Sequence, residues 1–214
     1  MPTNKPPYHH GDLARALVEA AERSIEAGGY SRLTLRQTAR DAGVSVAAPY
    51  RHFTDREALL AAVLTKGFRE LTRRTEAARL KAADPKRALL AVGLAYVRFA
   101  AQHPAIYRLM FGPECDKATH PELMTAGHEA LCVLVTAVAD CKRAGLIGGA
   151  NVQRVALAGW SLSHGLASLH VDGLLASIPG PGLERSAKAL MHMLLAGVTA
   201  SARPAPRREP PKGL

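Results

Sequence analysis

The chain has 214 residues, 48% of them hydrophobic but only 5% aromatic, so it can bury a real core, and its Ala- and Leu-rich composition favours packed helices over sheets. A formal charge of +10 points to a polyanionic partner, because Lys and Arg release counterions from phosphates, yet the excess is spread along the chain and locates no single face. An odd set of cysteines, Cys115, Cys132 and Cys141, argues against a disulfide framework. With no apolar signal core and no uninterrupted stretch of the roughly 18 apolar residues that a membrane span needs, a soluble cytoplasmic protein without a membrane partner is expected.

Residues 1–7 form a short polar arm with three prolines, and residues 203–214 a Pro-rich basic tail, neither able to bury enough to fold. Between them the helical period recurs. Leu13, Leu17, Ala20, Ala21 and Ile25 make one stripe, which Gly28 and Gly29 stop. Thr34 caps a short helix to about Ala42, Gly43 ends it, and Ser45 caps a third helix to about His52. Asp55 then caps a long fourth helix to about Ala83, where Asp84 and Pro85 start a fifth. Helices at 85–102, 104–111, 119–144, 151–176 and 183–202 follow, divided by His103-Pro104, Gly112-Pro113, the glycines of 145–149 and the 179–182 cluster. The prediction is an all-α chain of about nine helices: a three-helix head (8–55), a connecting helix (56–84) and a C-terminal helical bundle (85–202).

In residues 33–53, LTLRQTARDAGVSVAAPYRHF, Ala39 is small where two helices would cross and Gly43 supplies the left-handed backbone of a tight turn. Val44, Tyr50 and Phe53 are placed to seal the pair onto the first helix. The stretch LTLRQTARDAGVSVAAPYRHFTDREALLAAV, preceded by HHGDLARALVEAA, resembles the signature of the tetracycline-repressor (TetR) family of DNA-binding regulators. That resemblance implies a helix-turn-helix homodimer whose third helices enter the major groove of double-stranded DNA at a palindromic operator, with half-sites about 34–36 Å apart.

It also implies that Thr34, Tyr50, His52 and Arg56 hold phosphates, and that Arg36 reaches a base, where a guanidinium fork suits guanine. Ser45 and Arg51 complete the DNA-facing set, while Val46, Ala47 and Ala48 occupy the base-facing positions without a hydrogen-bond donor among them. Thymine methyl contacts and shape readout are therefore expected to carry more of the specificity. Each role has a plainer rival: Tyr50 as core packing, Arg36 and Arg40 as solvated charges. Pro49 departs from the family pattern and requires the recognition helix to start late or with an irregular turn.

Trp160-Ser-Leu-Ser-His164-Gly165, with Tyr107-Arg-Leu-Met-Phe-Gly112 upstream, resembles the TetR C-terminal domain type named for its Trp, His and Gly, implying a small-molecule effector domain. Trp160 and His164 share a helix face, and His164 reads either as a satisfied structural histidine or as a ligand contact. Candidate pocket residues besides these are Tyr96, Phe99, Tyr107, Met110, Phe111, Met124 and His128, all of which could equally be core. The last two helices offer a dimer surface of Ala156, Gly159, Ser163 and Leu166 with Leu190, Met193, Leu194 and Val198.

No catalytic residue, cofactor or metal is expected. Gly159-Trp-Ser161-Leu-Ser163 approaches the Gly-x-Ser-x-Gly hydrolase elbow, but its last position is serine and no strand precedes it, and His9-His10 is too short a cluster for a metal. The expected function is a repressor released from DNA by a hydrophobic or weakly polar effector; the alternative is a DNA-binding regulator or activator that senses nothing.

Overall fold

Helix starts coincide with residues that can satisfy or dispense with a free backbone N–H. In the structure, a computed structural model describing residues 10–177 and 180–201, eight α-helices and no strand occur among the described residues: α1 (His10–Gly28), α2 (Leu35–Asp41), α3 (Arg56–Leu80), α4 (Pro85–Gln102), α5 (Pro104–Phe111), α6 (Pro121–Arg143), α7 (Val152–Val171) and α8 (Leu183–Ser201). The arm at 1–7, His9 and the tail at 203–214 lie outside the described residues. Side chains cap three helices as the sequence predicts: Thr34 accepts from Gln37 N at 3.1 Å, Asp55 from Ala58 N at 2.8 Å and Asp84 from Arg87 N at 2.8 Å.

The missing ninth helix is the recognition segment. Instead of a helix over 45–52 there is a turn closed by Ala48 N donating to Ser45 O at 2.9 Å, then a single 3-10 turn, Pro49–Arg51. Pro49 has no N–H to return to Ser45, so the α ladder cannot run through the segment. Three boundaries also move. α3 stops at Leu80 rather than Ala83, α6 starts after a 3-10 turn at Lys117–Thr119, and α7 ends at Val171, before Gly173 takes φ 74°.

One apolar cluster runs from the head into the body: Leu17, Ile25, Phe53, Leu60 and Leu64 are buried together with Phe99, Ile106, Met110 and Leu123. A second, around Leu89, Val138, Ile147, Val155 and Leu195, ties α4, α6, α7 and α8. The head meets the body through polar contacts too: Lys66 Nζ lies 2.6 Å from Glu22 Oε2, and Ala105 N donates to Glu26 at 3.4 Å. Among the described residues α6 is by length and composition apolar enough to cross a membrane, although Glu122, His128, Glu129 and Asp140 interrupt its apolar run as the sequence reading has it. Leu123, Ala126, Val133, Leu134, Ala137 and Val138 are buried, because α6 packs on α3, α4 and α7 at once.

Candidate nucleic-acid interface and apolar cavity

The short helix α2 and the turns after it are fixed from beneath. Gly43, at φ 69°, reverses the chain so that Val44 N donates to Ala39 O at 3.0 Å, while Ala39, Pro49 and Phe53 are buried. The opposite side carries Thr34, Arg36, Arg40, Ser45, Val46, Ala47, Tyr50 and Arg51, all exposed, with Ala48 and His52 half-buried. Tyr50 is 54% exposed and so does not seal the head as the spacing suggested; Val46, at 43%, presents an apolar surface beside it. The result is a rim of hydroxyl, phenol and guanidinium donors around a donor-poor centre. Such a surface suits phosphates at its edge and methyl groups at its middle.

Arg56 behaves differently from the other candidate phosphate ligands. Its guanidinium lies 3.9 Å from the centroid of the Tyr30 ring and donates to Tyr30 O at 2.7 Å, so it bonds inward and clamps the α1–α2 connection to α3. The sequence could not show this, because Tyr30 lies far from Arg56 in the chain.

Helices α3 to α7 line an open-sided cavity of about 490 Å³. α3 contributes Phe68, Leu71 and Thr75; α4 Val92, Gly93 and Tyr96; α5 Met110 and Phe111. α6 supplies the longest wall, from Leu123 and Met124 through Gly127 and His128 to Leu131 and Leu134, and α7 closes it with Trp160 and Ser163. Six of the nine expected ligand residues line it: Tyr96, Met110, Phe111, Met124, His128 and Trp160. Phe99, Tyr107 and His164 do not; Phe99 is core, and the other two stand behind the wall.

His164 organises the polar end from that position. Its Nδ1 lies 2.9 Å from the Tyr96 hydroxyl and 2.8 Å from that of Tyr107. Tyr107 can also donate to His164 O at 3.3 Å, which lets Nδ1 accept from Tyr96 alone. Burial holds the imidazole below its ordinary pKa and pushes both phenols up, so all three groups are neutral and serve as hydrogen-bonding groups. Elsewhere the lining is apolar apart from Thr75, Lys117, His128 and Ser163.

Sequence reasoning missed Phe68, Leu71, Gly93, Leu131 and Ser163 as lining residues. Gly127 was a readable signal: a glycine inside an apolar helix asks for a reason, and here a Cβ would enter the cavity 3.8 Å from Phe68.

The expected dimer surface is only partly exposed in the protomer. Ala156, Gly159, Ser163 and Leu166 are buried within the protomer: Gly159 faces Leu194 and Leu134, and Ser163 sits beside Gly93 in the cavity wall. Leu190, Leu194 and Val198 are half-buried and pack against the two clusters, leaving Met193, 67% exposed, as the one residue of the set that faces outward. Small residues permit close helix approach inside a bundle as readily as between subunits, so the spacing alone does not separate the two uses. The outward stripe consists of Leu157, Ser161 and Leu169 on α7 with Ala189, Met193 and Ala196 on α8. Ser161 lies in mid-helix, so no strained elbow raises it as a nucleophile.

Residues 17–63 match the family described as bacterial regulatory proteins, tetR family, and residues 89–194 match the tetracyclin repressor-like C-terminal domain. A stretch of 78 residues is 36% identical to the HTH-type transcriptional regulator BetI of Agrobacterium fabrum, a match spanning 36% of this chain and 38% of that protein. The chain thus covers little more than a third of that regulator. A solved structure of a protein with unknown function from Rhodococcus sp. RHA1 is 35% identical, with a TM-score of 0.77 over 90% of this chain and 98% of that one. At 18% identity, a putative TetR-family regulator from Mesorhizobium loti shares the fold, with a TM-score of 0.68 over 89% of this chain and 98% of that one.

Proposed function

Given that the chain belongs to the tetracycline-repressor family of DNA-binding transcriptional regulators, we propose that it is a cytoplasmic homodimeric repressor, released from a palindromic operator when a small, largely apolar effector enters the cavity. The observation that carries this reading is the cavity of about 490 Å³ and its wall: α3 supplies three lining residues and is also the helix on which the head is built. A regulator that sensed nothing would be expected to fill this space with side chains. On this reading the protein acts by binding DNA and effector.

Operator contact is assigned to the exposed rim. Thr34, Tyr50, Arg51 and His52 hold phosphates and Arg36 reads a base, while Ser45, Val46, Ala47 and Ala48 lie against the groove floor. Two heads must reach successive major grooves, which requires a symmetric partner. The outward stripe of α7 and α8, including Leu157 and Met193, is the surface for that partner.

The cavity selects its ligand by shape and by one polar anchor. An effector with a hydrocarbon or aromatic body would displace water from Phe68, Leu71, Leu131 and Leu134. A single hydroxyl, carbonyl or amide would meet Tyr96 or Ser163. Filling the space presses on Phe68 and Leu71 of α3, which tilts the helix and changes the spacing of the two recognition segments. Release requires the ligand to bind the tilted state more tightly, and a coupling of about 1–3 kcal/mol changes operator affinity roughly 5–150-fold.

A thermal-shift screen of apolar small molecules against the full chain identifies a ligand, and operator affinity is then measured with and without it. Identical affinities would refute the release mechanism. Gly127→Leu, which puts a side chain into the cavity beside Phe68, is expected to weaken binding of that ligand by more than about tenfold, read as a lost thermal shift.

A further inference from the structure

Away from the cavity and the DNA-facing rim, one group of ligating side chains spans the joint between head and body. Glu57 lies in the first turn of α3, Cys115 in the α5–α6 connection and His120 at the N-cap of α6. A carboxylate oxygen, a thiol sulfur and an imidazole nitrogen from these three all lie within 4.8 Å of one another. His120 Nε2 is 3.7 Å from Glu57 Oε1.

The connection that carries two of them is held by its own hydrogen bonds. Asp116 N donates to Glu57 Oε1 at 2.9 Å, Ala118 N donates to Asp116 Oδ1 at 3.1 Å, Thr119 Oγ1 donates to Asp116 O at 2.8 Å, and Lys117 Nζ donates to Gly112 O at 2.6 Å. The sulfur is buried, whereas Glu57 and His120 are half-buried, so an ion can enter from solvent.

We infer that Glu57, Cys115 and His120 form a binding site for a zinc-class divalent cation, which ties the start of α3 to the α5–α6 connection. Mixed sulfur, nitrogen and oxygen donors suit zinc, while magnesium and calcium prefer oxygen alone. Bonds of about 2.0–2.3 Å in a tetrahedron place donor atoms about 3.3–3.8 Å apart. The imidazole and carboxylate already stand at that separation, and the thiol needs to close by no more than about 1.5 Å. Water takes the fourth position. On binding, the thiol proton leaves to solvent and the thiolate bonds the metal.

The location gives the site a consequence. Glu57 follows directly on the capped start of α3, just after Phe53 of the head, and Lys117, between the other two ligands, lines the effector cavity. A cation here stiffens the segment through which the head is carried, whether or not a small molecule occupies the cavity.

Cobalt(II) titrated into the reduced full-length protein tests the site, because thiolate-bound tetrahedral cobalt absorbs in the near ultraviolet and the visible. The expected result is absorption saturating at one ion per chain, displaced by zinc, absent in Cys115→Ser and retained in Cys132→Ser. His120→Asn should weaken binding by more than about tenfold and decides the matter if Cys115→Ser fails to fold by circular dichroism. Zinc should also slow amide exchange in residues 113–120 and the first turn of α3. No thiolate band, a band that survives Cys115→Ser, full affinity in His120→Asn, or unchanged exchange each overturns the inference.

Discussion

The guanidinium of Arg56 stacks on Tyr30 and bonds its carbonyl oxygen, so truncating it removes a part-buried hydrogen bond and a cation–π contact together. Arg56→Ala is expected to lower the unfolding free energy by about 1–3 kcal/mol, read from urea midpoints at constant slope. Arg36→Ala, at an exposed position, should leave stability within about 0.5 kcal/mol and relax preference at one operator base pair by about 1–3 kcal/mol. A series of base-substituted operators separates the two. His164 makes a pH prediction with a defined sign. Burial lowers its pKa beneath the ordinary 6.5, so just below that pH the unfolded chain binds more protons and stability rises with pH. Moving from about pH 7.5 to about pH 5 should therefore destabilise the protein, and His164→Asn, which keeps an acceptor near Nδ1, should remove that part of the slope.

Among the elements, the turn after α2 depends most on a single residue. Gly43 sits at φ 69°, where a Cβ meets the following carbonyl, so Gly43→Ala should cost about 1–2 kcal/mol, measured by reversible thermal unfolding. This turn was legible because glycine there has few other reasons to exist. The capping residues Thr34, Asp55 and Asp84 and the breaks at His103-Pro104 and Gly112-Pro113 were legible for the same kind of reason: each states a backbone requirement locally. What could not be read was orientation. Ala156, Gly159 and Ser163 fit a subunit interface or an internal helix crossing equally well, and only the position of α4, α6 and α8 decides between them. Cavity and core also share a composition, so Phe99 and Tyr107 could not be told from Tyr96 and Phe111. Pro49 announced an irregular recognition segment, though not that it would shrink to turns.

At the level of the molecule, the exposed apolar stripe on α7 and α8 is the surface proposed for the symmetric partner. Leu157 is 57% exposed and Met193 67%, with small residues around them. Met193→Glu should place a charge in the proposed dimer surface, give a monomer by sedimentation, and reduce binding to a full palindrome far more than to a half-site. Retention of the dimer would move the two-fold axis to another face.

The seam between head and body bears on how far the parts can be exchanged among relatives. Chimeric regulators are naturally conceived by cutting near residue 55, where the head's last turn ends. Here such a cut would separate Leu17, Ile25 and Phe53 from Leu60 and Leu64, with which they share one core, and would strand Glu22 opposite a foreign residue at the Lys66 position. Glu26 would lose its place beside Ala105 and His103 as well. The transferable module therefore includes the first three turns of α3 and a matched patch on α5. If the rim contacts the operator as proposed, new specificity is more simply installed by replacing only its exposed residues.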